Sequence, residues 1–144
     1  MKNIIKGIIS LTIISLFLFT KWWYVLPDDA PDIILWGFPF PYAGDGFHTS
    51  MSVQIFTLEL ILDVIIHLLI WSTLILSIHR FFWKIKIKKS LTILLITASS
   101  ILLIIPIFIA FLPDTVFNLR KDWDMEIRET GCKFIWENQP RIRR

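Results

Sequence analysis

The sequence predicts an all-α membrane protein with three transmembrane helices, a short extracytoplasmic loop and a C-terminal tail patterned for a β-hairpin. Three observations carry that prediction. The 144 residues are 55% hydrophobic and only 19% charged, with a mean hydropathy of +0.64, against about 25% charged residues in ordinary soluble domains. The apolar residues fall into three blocks, each long enough for the roughly 20 helical residues that cross a bilayer core about 30 Å thick. Backbone polar groups cannot go unpaired in lipid, so a spanning block is helical, and the blocks lack the short-strand alternation of a barrel. This composition excludes disorder, and a single cysteine, Cys132, excludes a disulfide scaffold.

The elements follow in chain order as one membrane domain. The first helix is placed at about residues 4–26, interrupted by Lys6 and Lys21. Its basic start resembles a secretion signal, but Thr20, Lys21, Trp22, Trp23 and Tyr24 follow the apolar stretch instead of small residues, so an uncleaved anchor is expected. The loop 27–50 holds Asp28, Asp29, Asp32 and Asp45 and no Lys or Arg. The second helix, about 51–82, takes Thr49, Ser50 or Ser52 as its N-cap. The loop 83–90, with Arg80 just before it, carries Lys84, Lys86, Lys88 and Lys89 and no acid. The third helix spans 91–112 and the tail 113–144. Basic loops stay inside, which places the N-terminus in the cytoplasm and the tail outside an inner (plasma) membrane. The net charge of +3 is that topology signal and calls for no nucleic acid.

The second block carries the sharpest feature. Ser52, Glu59, Asp63 and His67, followed by Trp71, share one helix face through steps of four and seven. A charge at mid-bilayer costs at least about 2.5–3.5 kcal/mol. The stripe must therefore face protein, water or a partner charge. It reads either as packing contacts or as a proton or cation relay. No metal or other cofactor is expected: three ligands in a row on one helix spread over about 12 Å, and His67 and His79 lie too far apart to serve one haem, with His48 at the outer edge.

In the loop, Phe38-Pro39-Phe40-Pro41-Tyr42 reads as an extended strip, followed by a turn at Ala43-Gly44-Asp45-Gly46. The aromatic residues Trp36, Phe38, Phe40 and Tyr42 lie on the headgroup layer, dock a partner, or close over the polar stripe. In the third helix, Thr97, Ala98, Ser99 and Ser100 form a small-residue patch for close helix packing, and Pro106 predicts a kink. In the tail, residues 123–128 alternate, Thr130-Gly131 marks a turn and 132–137 form the second hairpin strand.

No catalytic constellation, phosphate loop or metal spacing is present, so no enzymatic activity is expected. The functional expectation is a small non-catalytic multi-pass membrane protein, an accessory subunit of a larger complex or homo-oligomer, with lipids and other membrane subunits or itself as partners. The alternative is a proton- or cation-conducting element built on Glu59, Asp63 and His67.

Overall fold

A computed structural model describes residues 2–28, 31–46, 52–82 and 88–134. Helix α1 (Lys2–Leu18) runs directly into strand β1 (Phe19–Pro27). Strands β2 (Ile33–Trp36), β3 (Ala43–Asp45) and β4 (Val53–Phe56) follow, and β4 passes without a break into α2 (Thr57–Ser77). One π-helical turn, Ile78–Phe82, extends α2. Helix α3 (Lys89–Ala110) returns to β5 (Thr115–Asn118), and β6 (Met125–Phe134) closes the described chain.

The all-α expectation is overturned. The fold is α/β, with one six-stranded mixed sheet in the order β5-β4-β3-β2-β1-β6. Strands β1 to β4 form an antiparallel meander, β6 is antiparallel to β1, and β5 is parallel to β4 across the α2–α3 hairpin. A first helix over 4–26 fails at Leu18, because residues 19–27 are a strand. That segment, FTKWWYVLP, is aromatic and β-branched, which suits a pleated surface once partner strands exist. The second helix begins at Thr57 rather than near residue 51, and Ser52 precedes a strand instead of capping the helix. Thr49 and Ser50 lie outside the described residues, as do most of loop 83–90 and the tail beyond Phe134.

The tail hairpin is also overturned. Thr130 and Gly131 lie inside one ten-residue strand whose partner is β1, with Trp22 opposite Gly131 and Trp23 opposite Thr130. A Cβ at position 131 would lie 2.6–2.8 Å from the Trp22 indole. Glycine is there so that the ring can lie over the backbone, not to turn the chain. Residues 43–45, read as a turn, are strand β3.

Six strands lying flat would hold their outer edges about 24 Å apart. Residues 119–124 join those edges, and seven peptide steps reach about 25 Å only when fully stretched. Bends at Leu119, Arg120 and Trp123 shorten that reach, so the sheet is curled. Its concave face buries Val25, Ile33, Leu35 and Phe56, with Trp23, Trp123 and Met125 packed against them, and the Phe56 and Trp123 rings meet edge to face at 6.3 Å.

Helices α1 and α2 join the sheet at the same end, whereas β5, parallel to β4, begins at the other end, so α3 reaches past the α2 junction to enter it. Helix α1 packs against both α2 and α3, which barely touch each other. Thr12, Thr92 and Ser99 are buried within the helices. Their hydroxyls donate to carbonyls of their own helices, Ile8 O (2.9 Å), Lys88 O (3.3 Å) and Ile96 O (2.9 Å). By length and composition, Thr57–Phe82 and Lys89–Ala110 could each cross a membrane, with hydropathies of 2.2 and 2.7, whereas the apolar helix Asn3–Leu18 is shorter.

Candidate functional site

The site lies where α2 meets the sheet. Helix α2 has no side-chain N-cap. Its first turn is tied to the sheet end instead, with Leu58 N–H donating to Leu119 O at 3.1 Å. From there the face bearing Glu59, Asp63, His67 and Trp71 points into the molecule. Asp63 is 0% and His67 5% exposed, while Leu58, Leu62, Ile65 and Leu69 on the other faces are exposed.

The segment from Gly37 to Tyr42 lies over that face as a strap. Gly37 has φ of +152°, a region that favours glycine, and its N–H donates to Lys21 O at 3.0 Å. Tyr42 N–H returns to Trp36 O at 3.0 Å, and Phe56 N–H donates to Tyr42 O at 2.8 Å. The strap is thus a closed loop with a cis Phe38–Pro39 bond, not the extended strip expected from its prolines.

The strap grips α2 through Asp63 and His67. Phe40 N–H donates to Asp63 Oδ1 at 2.9 Å. The Phe38 ring stands edge-on to the His67 imidazole at 6.1 Å and to Phe19 at 5.3 Å, and Phe19 meets Phe134 of β6 at 5.6 Å. His67 Nδ1 lies 2.9 Å from Asp63 O. A carbonyl only accepts, so Nδ1 carries the hydrogen. Burial, with the Asp63 carboxylate as a lesser cause, pushes the Tyr42 phenol up to about 12.

One turn above, Glu59 Oε1 accepts from Lys121 N–H at 3.4 Å. The Lys121 ammonium donates to Trp123 O at 3.1 Å and sits 4.9 Å from the Trp123 ring centroid. Burial lowers its pKa, opposed by the acids Asp124 and Glu59. One turn below His67, Trp71 Nε1–H donates to Ser15 Oγ at 2.9 Å, joining α2 to α1. Two buried carboxylate oxygens, Glu59 Oε2 and Asp63 Oδ2, have no donor among the described residues.

The expected site residues do not all converge. Ser52 is buried near the sheet, away from the α2 contacts just described. Of the aromatic set, Phe38 and Tyr42 belong to the strap, Phe40 is 42% exposed at its crown, and Trp36 pairs across strands with Trp22. Of the α3 patch only Ser99 is buried, while Thr97, Ala98 and Ser100 are exposed. Sequence reasoning missed Phe19, Lys121 and Ser15, since nothing local to those residues signals a partner 19 to 62 positions away in chain order. Among the described residues no group of three His, Cys, Asp or Glu side chains is placed to hold a metal ion. Chemically, the arrangement is a buried acid and imidazole locked by a backbone strap, with no nucleophile paired to a base.

Comparison with known protein families, curated proteins and solved structures gives no match to this chain.

Proposed function

We propose that this chain is a non-catalytic membrane protein that serves as an accessory subunit of a larger assembly or a homo-oligomer, with α2 and α3 crossing the bilayer, α1 packed against both, and the curled sheet outside. The observation that carries this reading is the inverted surface of the helices. Only 17% of the most apolar α2 stretch and 6% of the α3 stretch is buried, and Ile61, Ile65, Leu69, Ile93, Leu94, Ile101, Ile104 and Phe108 point outward. Water penalises each such side chain by about 1.5–3 kcal/mol relative to burial, and acyl chains remove that cost. Asp63, His67, Thr92 and Ser99 are turned in.

Charge supports the orientation. All twelve Asp and Glu residues lie before the π-helical turn or after α3 in sequence, and each acid in the described residues sits in a strand, in a segment flanking one, or on the first two turns of α2. The opposite end carries Lys6, Arg80, Lys88 and Lys89, the pattern of a cytoplasmic face. The proposal is tested by fractionation and light scattering. The chain should resist alkaline extraction from membranes and, in mild detergent, give a protein mass above 17.0 kDa. Recovery in the soluble fraction contradicts the membrane reading, and a monomeric mass contradicts assembly.

Proton or cation conduction is the second reading, favoured by the donorless oxygens of Glu59 and Asp63. It weakens below His67, where the inward face continues as Trp71 and buried Ile75 and the next titratable side chain, His79, is about 18 Å further on. Flux through proteoliposomes that disappears in Asp63→Asn and His67→Ala chains of unchanged fold would favour conduction over the accessory role.

A further inference from the structure

We propose that the end of the helices remote from the sheet holds an anionic phospholipid in the cavity beside the first turns of α3. This rests on the membrane reading above and adds to it a particular ligand at a particular place. The cavity, about 490 Å³ and largely open to the surroundings, is lined by Lys88, Ser90, Leu91, Ile93, Leu94 and Thr97. Its chemistry is graded along one direction. Lys88 and Ser90 lie at the start of α3, and Leu91 and Leu94 line the helix surface leading away from that end, 48% and 66% exposed. A cation and a hydroxyl at one end of an apolar trough match a phosphodiester headgroup with its acyl chains, and match neither a free anion nor a neutral lipid as well.

The surroundings favour the same occupant. Lys89 follows Lys88, and Arg80 lies on the π-helical turn at this end of α2. Phe81 and Phe82 on that turn are 80% and 75% exposed, as suits rings seated at a headgroup layer. No acid among the described residues lies at this end to compete for the lysines. The attraction of a juxtamembrane cation to anionic lipid corresponds to a factor of about five per Lys.

The test uses the full chain in nanodiscs of phosphatidylcholine containing a minor fraction of phosphatidylglycerol, with retained lipid counted by native mass spectrometry. Phosphatidylglycerol should be retained in preference, and Lys88→Gln with Lys89→Gln should lower that preference by about fivefold per lysine. Arg128→Gln with Lys133→Gln, on the sheet, should leave it unchanged. Leu94→Ser, which keeps both charges, should also weaken retention. Equal retention of both lipids by a chain that inserts overturns the inference alone. Displacement of phosphatidylglycerol by inorganic phosphate overturns it in favour of a simple anion site. A chain that does not enter nanodiscs overturns the inference together with the membrane reading.

Discussion

Phe40 N–H donates to the Asp63 carboxylate at 2.9 Å, across 23 positions of sequence. This bond ties the strap between β2 and β3 to a side chain fully buried in an otherwise outward-apolar helix. It answers the energetic problem set by an acid in α2, since one carboxylate oxygen gains a backbone donor where lipid offers none.

Removing the acceptor should release the strap. Asp63→Ala leaves the Phe40 N–H without its partner, at a cost of about 1–3 kcal/mol, and should make residues 37–42 sensitive to protease. Asp63→Asn keeps an acceptor oxygen and should lie between Asp63→Ala and the natural chain. Limited proteolysis and thermal melting in detergent check this; equal stability of all three chains contradicts the lock.

Tyr42 should titrate late. The chain has two tyrosines, so Tyr24→Phe leaves Tyr42 as the only phenol. Its pKa of about 12 in the folded state lies above the usual value near 10. The folded protein then holds a proton that the unfolded chain has lost between about pH 10 and 12, so stability falls as pH rises through that window and is unaffected below it. Phenolate absorbance appearing near pH 10 while the fold is intact contradicts the buried position of Tyr42.

Gly131 should accept no side chain cheaply. Its missing Cβ leaves room for the Trp22 ring, so Gly131→Ala should destabilise by about 1–3 kcal/mol through overpacking. Trp22→Ala should remove most of that penalty when the two changes are combined. Additive losses in the double-mutant cycle contradict the stacking.

The α2 face was legible because its contacts are periodic. Steps of four place Glu59, Asp63, His67 and Trp71 together whatever the rest of the fold does. The sheet was not legible, because its pairings are remote. Hydropathy cannot separate helix from strand across an apolar run, so Phe19–Pro27 was absorbed into the first helix. Its partner Met125–Phe134 lies about 100 residues away, and without it the alternating tail could pair only with itself, which made Thr130-Gly131 look like a turn. The β4–β5 pair likewise needs the whole α2–α3 hairpin between its strands. The strap was misread for the same reason: its prolines favour extension locally, and the bonds to Trp36, Phe56 and Asp63 override that preference.

The most direct test is sidedness. Cys132 is exposed on β6 and is the only cysteine. In sealed right-side-out vesicles, a membrane-impermeant maleimide should label Cys132 from outside. In a chain carrying Cys132→Ser and Lys88→Cys, position 88 at the start of α3 should react only after permeabilisation. Labelling of both positions from the same side, with the vesicles intact, contradicts a bilayer crossed by α2 and α3.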